Sequence, residues 1–281
     1  MTNLLIAAID GFLEARSQLQ KRRAITPIER TLKAAMRKAF LAQGRAFLRG
    51  MAAYKDQFPL EEAVTEGQWE RVFSDAEIAS INLFVEPLDL ATREALLAGG
   101  AATYGELGMI DVAFDLANPR AVQYLRDHGA ARVTLINQTT RIELQRLIIQ
   151  AADEGMSYSR LARVIRTQFE GFAGLKPQLH IRNRAELIAV TEVGDAYSEA
   201  NLIIGRTLQD AGERMEKRWL TIGDGRVSDG CAANQAVGWI PLDDAFPSGH
   251  QRPLRFPGCR CDLLQRRVSE EEWQTNRMAQ G

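Results

Sequence analysis

At 281 residues, 46% hydrophobic and 25% charged, the chain has the composition of an ordinary folded protein and room for two modest domains with buried cores. A formal net charge of -1 gives no global basicity to suggest nucleic acid, and three cysteines do not close a disulfide framework. No apolar run approaches the roughly 20 residues a membrane span needs, and the N-terminal stretch, with Asp10 and Glu14 soon after a short apolar start, lacks a secretory leader pattern, so a cytosolic protein is expected.

The first clear element signal is Thr26-Pro27-Ile28-Glu29. Thr26 suits a helix cap, Pro27 the first helical position, and Glu29 completes a capping box. Beyond it Ile28, Leu32, Ala35, Met36, Ala39, Phe40, Phe47, Met51 and Tyr54 recur at helical spacing, and the helix is expected to stop near Phe58-Pro59. Arg30, Lys33, Arg37, Lys38, Arg45, Arg49 and Lys55 fall on the opposite face, with almost no acids among them. Such a face either simply meets water or tracks phosphates and acidic partners.

Residues 60–117 carry further helical spacing, broken at Pro87, Gly99-Gly100, Gly105 and Gly108. Asn118-Pro119 opens a new helix, and Thr139-Thr140 with Glu143 reads as a second start, ending at Gly155 in a left-handed cap. Ser157 begins a helix with Leu161, Val164, Ile165 and Phe169 inward. Gly171 to Pro177 reads as a loop, and Arg184 to Leu202 as the next helix.

After Lys217 the character changes. Gly, Pro, Asp and Asn become dense between Gly223 and Gly258. Trp219 and Thr221 alternate like a short strand, as do Cys259, Cys261, Leu263 and Gln265, and the two segments are expected to pair. Ser269 to Trp273 restarts a short helix. The fold class is therefore mainly α (α+β): a helical body with a small Cys-containing β-hairpin and a loop-rich C-terminal unit. Three regions follow along the chain, 1–58, 59–117 and 118–281.

Catalytic signatures are scarce. The three histidines are His128, His180 and His250, and there is no nucleophile elbow, phosphate-binding loop or paired-His metallohydrolase helix. A metal nuclease built on Asp224, Asp229, His250 and the cysteines lacks a second catalytic histidine. Cys231, His250, Cys259 and Cys261 share the loop-rich tail and suit a structural Zn²⁺, although packed thiols or an adventitious disulfide are the plainer reading of the same cysteines. Glu192 shares a face with Ala185, Ile188, Ala189 and Ala196, so its carboxylate should be partly buried and paired, with Arg226 or Arg260 the best candidates. Arg260, alternating against its flanking cysteines, has Asp224 or Asp262 within expected reach.

The series Arg184-Ala185, Ile188-Ala189, Thr191-Glu192, Ala196, Trp219-Leu220-Thr221, Asp224-Gly225-Arg226-Val227, Cys231, Gly238, Phe246 and Cys259-Arg260-Cys261 resembles the phage Mu F-like minor head, or head morphogenesis, family. Asn118-Pro119, Thr139-Thr140 and Gly155-Met156-Ser157 resemble its upstream portion, so the likeness covers about residues 118–265. Family members often carry a His-Pro turn before Cys-Arg-Cys, where this chain has Phe256-Pro257-Gly258. The resemblance implies a low-copy, non-enzymatic capsid component of a tailed bacteriophage. It would join the portal protein, and the major capsid or scaffolding protein, near packaged DNA that it contacts without sequence preference. It would sit in the virion, at the capsid interior or portal region, after assembly in the host cytoplasm, with no membrane partner and no cofactor beyond the zinc considered above. A regulatory DNA-binding protein using the cationic helix is the alternative from another class.

Overall fold

Helix dominates, as the apolar spacing requires. The computed structural model describes residues 2–54, 67–109, 111–172, 183–270 and 272–273. In chain order the elements are α1 (Thr2–Tyr54), α2 (Gln68–Glu106), α3 (Pro119–Asp153), α4 (Tyr158–Gly171), α5 (Arg184–Asp210), β1 (Met215–Leu220), α6 (Asp229–Ala236), β2 (Trp239–Pro241) and β3 (Asp262–Arg267). No helix among the described residues is long and apolar enough to cross a membrane.

Five expected boundaries are absent. Thr26 does not start a helix, because the chain before it is already helical and Pro27 lies inside α1. An interior proline costs about 3 kcal/mol, which burial of Ile25 and Ile28 on either side offsets. Thr139 and Thr140 do not cap anything: their hydroxyls donate back to the Leu135 and Ile136 carbonyls, both at 2.9 Å, inside an unbroken α3. Pro87, Gly99, Gly100 and Gly105 likewise fall within a continuous α2.

Other starts stand. Asn118 Oδ1 accepts from Arg120 N at 2.9 Å ahead of α3. Gly155 takes φ +60°, and Ser157 caps α4 by accepting from Arg160 N. Leu161, Ile165 and Phe169 are buried, with Val164 half-buried. The expected helix end at Phe58-Pro59, Lys55, and all but the start of the Gly171–Pro177 loop lie outside the described residues.

The chain divides into two compact units, each drawing on all three sequence regions. One comprises residues 30–90 and 124–189. Its core is aromatic: Phe40 packs against Phe84 and Phe172 at 5.2 Å, and Phe47 against Phe73 at 6.0 Å. Arg184 lies over the Phe40 and Phe172 rings while donating to the Ile136 carbonyl, so its charge is spread over π faces and a backbone acceptor.

The other unit comprises residues 1–29, 91–123 and 190–281 and holds all three strands. The sheet is antiparallel in the order β2-β1-β3. Trp219 faces Leu263 in register and Lys217 faces Ile240 on one side and Gln265 on the other, so the expected pairing of the two segments holds. Its core gathers Leu202, Met215, Trp219, Cys231, Leu242, Phe246, Cys259, Cys261 and Leu263. Gly99 of α2 allows a close approach by α5: a Cβ there would stand 2.3 Å from the Tyr197 carbonyl oxygen.

Candidate functional site

The three cysteines converge. Ser228 caps α6 by accepting from Cys231 N, which places Cys231 in the first turn with its side chain inward. Cys259 follows a turn made by Gly258, whose φ of +83° strongly favours glycine. That turn is fixed to α5, because Gly258 N donates to Thr191 Oγ1 at 3.0 Å. Cys261 precedes β3, and its carbonyl accepts from Lys21 Nζ at 2.6 Å. Residues 259–261 are therefore irregular backbone rather than strand, which supplies the bend that lets both sulfurs of Cys259-Arg260-Cys261 face one place.

All three Sγ atoms lie within 4.8 Å of one another, buried and free of disulfides. Cys231 and Cys259 sulfurs are 3.9 Å apart, far beyond the roughly 2.05 Å of a disulfide bond. Hydrogen bonding from the Cys261 thiol, set against burial, pulls Cys259 well below the usual thiol range, and Cys261 is pushed up in turn. The Trp219 indole is fully buried beside them. Its Nε1–H finds no hydrogen-bond partner of normal geometry, although it lies close enough to Cys261 to favour that thiolate.

His250 does not join the cluster. Its Nδ1 bonds Ser248 through the carbonyl at 2.9 Å and the hydroxyl at 3.0 Å, and Asn234 holds Ser248 in place from both sides. The four-residue set expected from the sequence is thus three sulfurs, with the histidine committed to a turn.

The other charged residues singled out in the sequence take the following places. Asp224 and Arg226 are both exposed and approach each other to 3.8 Å. Arg260 is exposed, and among the described residues it forms no ion pair. Asp262 is buried and paired with Lys21 at 3.2 Å, with Ser17 Oγ donating to its other oxygen. Glu192 is half-buried on α5. Arg252 ties the tail to α5, meeting Asp195 at 2.6 Å and Glu199 at 2.5 Å. Those carboxylates are four residues apart on one helix face, a spacing that could have pointed to them. Lys21 was also legible in principle, since it stands four residues before Ile25 on the buried stripe of α1.

A cavity of about 500 Å³ opens in this unit, and Cys259 lines it. Its walls carry Lys21, Arg22, Arg226 and Arg260 against Glu29, Asp224 and Asp262. In the other unit Arg30, Arg37, Lys38, Arg45 and Arg49 are exposed along α1, whereas Lys33 is engaged with Glu186 at 2.8 Å.

Residues 142–264 match the family described as Phage Mu protein F like protein, a stretch running from within α3 into β3 and including all three cysteines. No curated protein and no solved structure matches the chain.

Proposed function

We propose that the chain, whose residues 142–264 match the phage Mu F-like family, is a structural head morphogenesis protein of a tailed bacteriophage. It joins the head during assembly through the portal protein, close to packaged DNA, and catalyses nothing. The observation that carries this reading is the family match, whose span takes in α5, most of the three-stranded sheet and the cysteine cluster as one block. Inside that block the parts interlock: Thr191 of α5 holds the turn before Cys259, and Arg252 ties the tail to Asp195 and Glu199.

Two further observations support the reading. Arg30, Arg37, Lys38, Arg45 and Arg49 make an exposed cationic row on α1 suited to phosphate or to an acidic protein face. The set a metal nuclease would need is not gathered: Asp224 stands exposed beside Arg226, and His250 commits Nδ1 to Ser248. Co-expression with the portal protein of the same phage, followed by gradient sedimentation, tests the proposal. The chain should travel with portal rings. Sedimentation only at the position of the free chain would refute portal attachment.

A further inference from the structure

We propose that Cys231, Cys259 and Cys261 form a three-thiolate site for one thiophilic divalent cation, Zn²⁺ in the cell, with the fourth ligand admitted from the cavity that Cys259 lines. The proposal stands or falls on the isolated chain and does not depend on the head-assembly reading.

Geometry comes first. Thiolates bound tetrahedrally to zinc at about 2.3 Å lie about 3.8 Å apart. Cys231 and Cys259 stand 3.9 Å apart, and the third sulfur is within 4.8 Å of both, so shifts of less than about an ångström close the set. Among the described residues no histidine, aspartate or glutamate joins the group within that span. The described residues therefore offer three ligands, and in this proposal the fourth comes from solvent.

Packed thiols alone leave one group unexplained. A buried indole N–H without an acceptor costs about 1–3 kcal/mol, and Trp219 Nε1 is such a group. A metal-bound thiolate is a stronger acceptor than a thiol, and the indole shares one buried core with Cys261. Charge agrees: three thiolates and a dication leave one net negative charge, and Arg260 stands between two of the cysteines without an ion pair among the described residues. The thiol protons displaced on binding leave to solvent through the cavity.

The fold also has a use for such a link. Residues 242–261 connect β2 to β3 without helix or strand, longer than the ~12–15 residues beyond which an unsupported loop is uncommon. One ion would fasten the end of that loop to α6.

The full chain, produced with zinc present and purified in reductant without chelator, should carry about one zinc per chain. Its Co²⁺-substituted form should show a thiolate-to-cobalt charge-transfer band of three-thiolate intensity. Cys231→Ser, Cys259→Ser and Cys261→Ser should each lose the metal, whereas His250→Ala should keep it. Trp219→Phe should keep the stoichiometry but bind roughly tenfold to a hundredfold more weakly in competition with a chelating dye. Should the serine variants fail to fold, alkylation of the wild-type chain decides: the thiols should be protected until chelator is added. No bound zinc, loss of zinc in His250→Ala, or a pair of thiols consumed as a disulfide in the unreduced chain would each overturn the site.

Discussion

Lys21→Met should be among the most damaging single changes in the strand-bearing unit. Lys21 is 5% exposed and Asp262 2% exposed, so their 3.2 Å pair is screened by almost no water. Lys21 also holds the Cys261 carbonyl and lies over the Tyr197 ring. Without the ammonium, Asp262 keeps hydrogen bonds from Ser17 Oγ and Leu263 N among the described residues, with the buried Glu106 carboxyl as a neighbour. Leaving one member of a buried pair uncompensated costs about 3–5 kcal/mol, a fall in Tm on the order of 10 °C at about 2–4 °C per kcal/mol. Removing both charges, Lys21→Met with Asp262→Leu, should recover most of that loss, because neither group is then left alone. Thermal unfolding followed by tryptophan fluorescence at neutral pH measures all four members of the cycle. A single variant within about 1 °C of the parent, or a double variant whose loss is the plain sum, would refute the reasoning.

Lys217 gives a pH signature. Burial, with Arg206 as a like charge, pulls its ammonium down to about 8 while Asp243 and Asp244 partly restore it. The unfolded chain then binds more protons above that pH, so stability should rise between about pH 8 and 10 and decline as pH falls through the folded value; Lys217→Met should flatten the slope in urea denaturation. Gly99→Ala should cost about 1–3 kcal/mol, since its Cβ would meet the Tyr197 carbonyl oxygen at 2.3 Å. Gly194→Ala, with Leu254 at 3.6 Å, should be tolerated or slightly stabilising, and equal melting shifts in the two would contradict the packing account. Reversing Arg37, Arg45 and Arg49 to Glu should leave the fold intact, weaken low-salt DNA retention and flatten its salt dependence by about 0.9 log units per lost phosphate contact. Retention unchanged at every salt concentration would remove the cationic row from the DNA side of the account.

What the sequence made legible follows the physics of each signal. The Leu32, Met36, Phe40 and Phe47 stripe and the Trp219–Leu263 pairing were readable because burial of one face repeats along a helix or strand. Thr26-Pro27 and Thr139-Thr140 misled because caps and helix interiors share residue types. Only the backbone of the preceding turn decides whether a threonine oxygen meets a free N–H or an i−4 carbonyl. Cys259 and Cys261 were readable as a pair, but their bend depends on Gly258 being held by Thr191 across a long sequence separation. His250 looked like a ligand by proximity along the chain, whereas Ser248, two residues away, takes its nitrogen. Lys21 was hidden by the habit of reading lysine as surface. Its partner Asp262 lies in a distant stretch of the chain, and no local pattern reveals that pairing.

The most direct test of the central claim is the protein composition of purified, DNA-filled heads from the phage that encodes this chain, measured by quantitative mass spectrometry against the portal protein. The head-morphogenesis account predicts the chain in those particles, at low copy relative to the major capsid protein and in fixed proportion to the portal. Particles that assemble, package DNA and contain none of it would contradict the account.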